Sequence, residues 1–175
     1  MDRNNELHWF VGLVKSCQER KVAEVLTSMG VESYLPIQRV KRVWSDRVKL
    51  VDKLVLPRYI FIHTTENNRV PLLQGVYGLA SFIARGTGHP IVVPDVQMGR
   101  FMQMVAASMG NLYFSTVPLA PGDEVTILEG TLAGLTCEIV KLQGSKWAVV
   151  RLGAFGNIMT TVDVNVVRRM VNTVN

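Results

Sequence analysis

Several features that mark particular classes of protein are scarce or missing in this sequence of 175 residues. No apolar run approaches the roughly 18 residues that a membrane-spanning helix needs. The polar start of the chain, up to Glu6, is not followed by the apolar segment of an export signal. We therefore expect a soluble cytoplasmic protein that has no contact with a membrane.

Cysteine and histidine are also rare, with two and three residues respectively. Cys17 and Cys137 fall in separate predicted domains, so buried or half-buried thiols are expected rather than a disulfide. No histidine or cysteine pair has the spacing of a metal site, and the glycine-bounded loop 129–136 lacks the lysine of a phosphate-binding loop. The sequence thus predicts no enzyme, no metal and no cofactor.

Acidic residues are fewer than basic residues, 14 against 19, which gives a net charge of +5. Between Arg39 and Arg58 there are seven basic residues and two acidic ones, so the whole excess falls in this segment. A cationic segment on an otherwise balanced chain favours a polyanionic partner, and nucleic acid is the most common one. The alternative is an exposed hairpin that charge keeps soluble.

The first two thirds of the chain alternate between strand and helix patterns. Ser16 and Glu19 have capping-box spacing, which predicts a helix start at this point. The basic segment alternates charged and apolar residues, which predicts a hairpin that turns near residues 45–46. The remaining strands are expected at 9–14, 31–36, 56–62 and 76–84, and helices are expected at 17–29, at 67–73 (limited by Pro71) and at 95–109.

The last third predicts only short strands, at 125–127, 137–140, 147–150, 158–162 and 164–167. These segments are rich in β-branched residues and are separated by Gly or Asn turns, which disfavours a helix. The chain is therefore predicted to be α+β, with a domain at 1–112, a mobile linker at 113–118 and an all-β domain at 119–175.

The all-β region opens with a recognisable motif, Pro-Gly-Asp-Glu-Val followed by two spaced glycines. It resembles a KOW motif, whose matching residues here are Gly122, Asp123, Val125, Gly130 and Gly134. Together with the order of the strands, the capped helix, the basic hairpin and Pro57-Arg58-Tyr59, the chain resembles the NusG family. This resemblance implies an N-terminal α/β NusG-type domain, a mixed sheet with flanking helices, followed by a small KOW β-barrel.

The resemblance also implies a function, that of a transcription processivity factor that binds the clamp of RNA polymerase and suppresses pausing and termination. The expected polymerase-binding residues are Val11, Leu13, Tyr59, Phe61 and Phe82, although ordinary sheet core is the equal alternative for each. Contacts with non-template DNA or nascent RNA are expected from Lys15, Arg20, Lys21, Arg39, Lys41, Arg42, Arg47 and Lys49. The KOW domain would recruit ribosomal protein S10 or Rho, and the protein is expected to be a monomer.

One departure from the family pattern lies at Arg58, because housekeeping members usually have glycine between the proline and the tyrosine. This departure makes the chain similar to specialised paralogues of the RfaH and UpxY antiterminator kind, which implies an operon-specific role, with polysaccharide operons as the associated targets. A ribosome- or RNA-binding KOW protein is the alternative function.

Overall fold

The computed structural model describes residues 5–86, 88–108, 112–162 and 167–169. It divides into two compact units. The first unit contains Met1–Ile37, Leu54–Met98 and Gly153–Phe155, and the second contains Gln38–Lys53, Gly99–Leu152 and Gly156–Asn175.

The helices are α1 (Glu19–Ser28), α2 (Glu66–Gly75) and α3 (Asp95–Ala107). The strands are β1 (His8–Val14), β2 (Ser33–Tyr34), β3 (Ile37–Val43), β4 (Val48–Leu54), β5 (Tyr59–Thr64), β6 (Leu79–Phe82), β7 (Ala84–Arg85), β8 (His89–Pro90), β9 (Val92–Val93), β10 (Tyr113–Ser115), β11 (Asp123–Ile127), β12 (Thr136–Leu142), β13 (Ser145–Leu152), β14 (Gly156–Thr161) and β15 (Val167–Arg169). None of the helices in the described ranges is long and apolar enough to cross a membrane.

The first unit is built around an antiparallel sheet in the order β2-β5-β1-β6, with β9 also paired to β1. One face of this sheet packs against α1 and α2 and forms the core. Gly12 lies on this crowded face, where an added Cβ would come within 2.9 Å of Leu79 Cδ1. The buried residues of this core are Phe10, Val14, Val22, Leu26, Ile60, Ile62, Leu72, Val76, Leu79 and Phe82.

The predicted mixture of strands and helices is confirmed in the first unit, but its details differ. The expected strand at 31–36 is only the two residues of β2. The helix α2 runs from Glu66 to Gly75 and includes Pro71, which does not end it as expected. Its start is fixed by Thr65, whose side chain accepts a hydrogen bond from the Asn68 N–H at 3.2 Å. Pro71 is the sixth residue of α2 and lies beyond the first turn, so the helix continues through it without the backbone hydrogen bond that another residue would donate there.

The prediction of a capping box at the start of α1 is wrong. The N-cap residue is Gln18, and no side chain caps the helix there. The Ser16 hydroxyl lies 3.8 Å from the Cys17 sulfur instead. Cys17 is exposed and not buried as expected, and its φ of 61° is in the left-handed region.

The second unit contains an antiparallel sheet in the order β10-β14-β13-β12-β11-β15. Strands occupy all five segments predicted in this region, except that residues 164–166 lie outside the described residues. The buried residues include Val125, Ile127, Leu135, Cys137, Ala148, Val150 and Ile158. Burial raises the pKa of the Cys137 thiol to about 11.

The segment expected to be a mobile linker is partly ordered as a strand. Tyr113–Ser115 form β10, which pairs with β14 through Tyr113↔Met159, Phe114↔Ile158 and Ser115↔Asn157. The ring of Tyr113 also meets that of Trp147 edge-on at 5.4 Å. The strand forms because β14 offers an edge to β-forming aromatic residues, which the sequence alone does not reveal.

The chain before β11 is held by an ion pair between neighbouring strands. Arg151 donates to both carboxylate oxygens of Glu138, at 2.6 and 2.8 Å, and also to the carbonyls of Leu119 and Ala120. Glu138 in turn accepts from the Gly122 N–H at 3.1 Å. The hydrogen bonds from Arg151 hold the pKa of the Glu138 carboxyl below its usual range.

We expect Glu138→Gln to lower the free energy of unfolding by about 1–2 kcal/mol at pH 7, because bonds to a charged group are lost. The folded state depresses this pKa, so the contribution is complete above the unfolded value of about 4.3 and disappears as the pH falls through the folded value. Urea unfolding at several pH values should show that the difference in free energy of unfolding between Glu138→Gln and wild type becomes smaller below pH about 4.3. Glu129→Gln, in an exposed loop, is the control, and an equal loss in both variants would contradict the role of the pair.

Candidate functional site

Four of the five predicted polymerase-binding residues lie together on the sheet face opposite α1 and α2. In the β1–β5 register, Val11 lies opposite Phe61 and Leu13 lies opposite Tyr59. Residues two apart in a strand share a face, so the two pairs form one apolar patch. Val11 and Phe61 are buried, whereas Leu13 and Tyr59 are half-buried. These four residues are called the β1–β5 patch below.

The fifth predicted residue, Phe82, does not join them. It lies opposite Gly12 and therefore on the helix-covered face of the sheet. Its ring meets that of Phe10 edge-on at 6.1 Å, and the Arg69 guanidinium lies 5.6 Å from its centre. Phe82 is thus a core residue, and its grouping with the β1–β5 patch is wrong.

An aromatic residue that sequence reasoning missed covers part of the patch. The first unit includes the segment Gly153–Phe155, and the ring of Phe155 lies edge-on to Tyr59 at 5.0 Å and to Phe61 at 6.1 Å. Phe155 itself is 6% exposed. The sequence does carry a signal, because Phe155 lies in a turn bounded by Gly153 and Gly156. A large aromatic side chain has no neighbours within such a turn, which indicates a contact elsewhere.

The turn that leads into Tyr59 has an unusual backbone. Arg58 has a φ of 71°, a conformation that costs a non-glycine residue roughly 1 kcal/mol or more. Its N–H donates to the buried carboxylate of Glu19 at 3.0 Å, and its carbonyl accepts from the Val14 N–H at 2.7 Å. Glu19 therefore fixes this turn, where the sequence suggested that it caps α1.

The eight residues predicted to contact nucleic acid are all exposed, and they fall into two groups. Lys15, Arg20 and Lys21 belong to the first unit. The Lys15 ammonium lies 4.9 Å from the ring centre of Tyr77, a highly exposed aromatic residue that sequence reasoning missed. The second group lies on the hairpin of β3 and β4 in the second unit and comprises Arg39, Lys41, Arg42, Arg47 and Lys49.

The structure explains why glycine stands at three positions of the KOW-like motif. A Cβ at Gly122 would lie 2.4 Å from the Ile139 carbonyl oxygen, which leaves no room for a side chain. Gly130 and Gly134 have φ values of 84° and 83°, and the Gly134 N–H donates to the Ile127 carbonyl at 2.7 Å. Val125 is buried in β11, and Asp123 begins that strand.

Within the described residues, no group of three or more His, Cys, Asp or Glu side chains is placed to hold a metal ion. His63 has an ordinary structural setting, stacked on Trp9 at 4.7 Å with its Nδ1 2.6 Å from the Glu32 carboxylate. The described residues thus include one apolar patch and two groups of exposed cationic side chains.

The apolar patch lies on an antiparallel sheet with flanking helices, so the expectation of a mixed sheet is wrong. The family model described as "Transcription termination factor nusG" matches residues 7–102, more than half of the chain. The chain belongs to the NusG family, whose members are non-enzymatic transcription factors.

Similar solved structures include one described as "Domain interaction in Thermotoga maritima NusG", with 17% identity and a TM-score of 0.49, covering 95% of this chain and 98% of that chain. Another is the MjSpt4:Spt5 complex, with 10% identity and a TM-score of 0.32, covering 95% of this chain and 99% of that chain. No curated protein matches the sequence at a significant level.

The turn before Tyr59 can be tested through Glu19. We expect Glu19→Ala to lower the free energy of unfolding by about 1–3 kcal/mol, because the Arg58 N–H then loses its acceptor in a partly buried place. Ser16→Ala should change it by less than about 0.5 kcal/mol, since that hydroxyl caps no helix. Urea unfolding measures the free energy of unfolding of both variants. A larger loss with Ser16→Ala than with Glu19→Ala would mean that Ser16 caps α1.

Proposed function

We propose that this protein is a transcription antitermination and processivity factor that binds the clamp of RNA polymerase and suppresses pausing and termination. The observation that carries the proposal is the β1–β5 patch, an apolar surface on a NusG-family sheet. Its half-buried residues Leu13 and Tyr59 lie opposite each other. They supply an aromatic anchor beside an aliphatic one, as grooves that receive an amphipathic helix commonly do.

The buried members of the patch have a supporting role in this proposal. Val11 and Phe61 are fully buried, so they hold the position of Leu13 and Tyr59 and do not themselves offer area to a partner. Binding energy at an interface is concentrated in a few residues, and a half-exposed tyrosine is a favoured type. Tyr59 is therefore the principal anchor.

The second unit would supply a second binding module. We propose that its six-stranded sheet closes as a KOW barrel and recruits ribosomal protein S10 or Rho. The proposed domains are 1–112 and 119–175, joined by residues 113–118, of which Tyr113–Ser115 form β10. The cationic groups would contact non-template DNA or nascent RNA, and the factor would act as a monomer.

An operon-specific role, of the RfaH and UpxY kind, is supported by Arg58. The backbone there has the left-handed conformation that glycine adopts without strain, yet this chain has arginine at the position. The side chain is exposed beside Tyr59, so it adds a charge next to the proposed polymerase anchor. Polysaccharide operons are the proposed targets.

The mechanism requires no bond chemistry. A factor that binds the elongating conformation of polymerase more tightly than the paused conformation shifts the population toward elongation. The size of this shift is set by the ratio of the two affinities. An anchor that binds the elongating conformation several-fold more tightly therefore reduces pausing by a similar factor.

We expect Tyr59→Ala to weaken binding to core RNA polymerase by about 10- to 30-fold, the effect of losing about 1.4–2 kcal/mol at an aromatic anchor. Tyr77→Ala is the matched control, because it removes an exposed tyrosine of the same unit that is not a member of the β1–β5 patch. Polymerase titration by fluorescence anisotropy gives both affinities. Unchanged affinity in a folded Tyr59→Ala protein would refute the site, and capture of ribosomal RNA without polymerase would favour the ribosome- or RNA-binding alternative.

Phe155 provides an independent test, because its ring packs against Tyr59, the side chain that polymerase would use as its principal anchor. Polymerase binding at Tyr59 requires Phe155 to leave, and that displacement reduces the apparent affinity. We therefore expect Phe155→Ala to increase polymerase affinity several-fold in the same titration. Phe155→Tyr keeps the ring and serves as the control. A decrease in affinity with Phe155→Ala would mean that Phe155 contacts polymerase itself.

A further inference from the structure

The hairpin of β3 and β4 carries a tryptophan that the proposed function does not use. Trp44 directly follows β3, next to the turn formed by Ser45 and Asp46, and is 51% exposed. Aromatic side chains dominate the energetics of interfaces, so a half-exposed tryptophan at the tip of a hairpin is a candidate contact residue. Every residue from Lys41 to Leu50 is exposed.

Hydrogen bonds at both ends of the hairpin fix which side chains share a face. The Trp44 N–H donates to the Arg47 carbonyl at 2.8 Å, and the Val55 N–H donates to the Pro36 carbonyl at 2.9 Å. Both bonds fit one uninterrupted antiparallel register, and so does the ion pair between Arg39 and Asp52 at 3.7 Å.

In that register Trp44 lies opposite Arg47, and the next residues on the same face are the opposed pair Arg42 and Lys49. Three cationic residues thus share a face with one indole ring, and Arg47 is also paired with Asp46 of the turn, its Nε lying 3.7 Å from a carboxylate oxygen. The exposed aliphatic residues occupy the other face of the hairpin, so the indole ring is separated from them. That face carries Lys41, Val43, Val48 and Leu50.

We infer that the Trp44 face of the hairpin binds single-stranded nucleic acid, with the indole ring stacked on an unpaired base and Arg42, Arg47 and Lys49 neutralising the adjacent phosphates. This inference rests on the proposed contact between the hairpin and non-template DNA or nascent RNA, and it names the aromatic residue on which an unpaired base would stack. Single strands present base faces for stacking, whereas the bases of a duplex are already stacked on one another.

Charge complementarity decides between this partner and a lipid surface. A hairpin that enters a bilayer interface places its aromatic and aliphatic side chains together, with the cations at the margin. Here the indole shares its face with the guanidinium groups and the ammonium group, an arrangement that matches a backbone of alternating phosphates and bases.

The test measures binding of the full chain to a fluorescein-labelled DNA strand of about 15 nucleotides, long enough for one site. The same strand annealed to its complement, and an RNA of the same sequence, are measured in parallel across a salt series. The variants are Trp44→Leu, which keeps apolar bulk without a stacking face, Trp44→Phe, which keeps an aromatic face, and Val48→Ala on the opposite face of the hairpin.

We expect Trp44→Leu to weaken single-strand binding by about 5-fold or more, with an unchanged salt slope and unchanged duplex binding. Trp44→Phe should recover most of the loss, and Val48→Ala should bind as wild type does. Arg42→Gln with Lys49→Gln should instead reduce the salt slope by about 0.7 for each phosphate that is no longer neutralised. The DNA and RNA arms show which of the two sources of single strand is preferred.

Equal binding by Trp44→Leu and wild type, or an equal loss on single strand and duplex, would overturn the inference. So would binding to phosphatidylcholine–phosphatidylglycerol vesicles by a wild-type protein that does not bind the single strand. Polymerase titration distinguishes the two proposals. Trp44→Leu should bind core polymerase as wild type does, and a wild-type protein that binds the single strand but not polymerase would refute only the proposed function.

Discussion

The pairing of β1 with β5 is the constraint on which the rest of the first unit depends. Its register places Val11 opposite Phe61 and Leu13 opposite Tyr59, and it thereby assigns the alternate residues to the helix-covered core. A slip of one residue would exchange the two faces completely. Gly12 helps to prevent that slip, because the core face at its position has no room for a Cβ.

Much of this fold could be predicted from the sequence because the decisive signals are local. Runs of β-forming residues predicted β1, β5 and the strands of the second unit, and helical spacing predicted α1 and α3. The failures involve partners distant in sequence. Glu19 has capping-box spacing, yet its carboxylate accepts from Arg58, 39 residues away. Similarly, Tyr113–Ser115 form a strand only because β14 lies beside them.

The candidate site shows the same limit. The aromatic content and order of the strands indicated Tyr59 and Phe61, but the face on which a strand residue lies follows from pairing, and Phe82 was therefore grouped with the wrong residues. The glycine-bounded turn around Phe155 indicates a contact outside that turn but does not identify the partner, because Tyr59 is remote in sequence. On the hairpin, by contrast, a two-residue turn fixes the register locally, so the surroundings of Trp44 follow from counting along the two strands.

The two cysteines differ in a way that has a practical consequence. Cys137 is buried, with a pKa near 11, so at neutral pH it remains a shielded thiol and a poor nucleophile. Cys17 is exposed and lies in the short segment between Lys15 and the start of α1. A maleimide dye or spin label added to the native protein is therefore directed to Cys17. The unmodified sequence thus provides a single-site probe beside the first cationic group, and distances can be measured from it without engineering any residue.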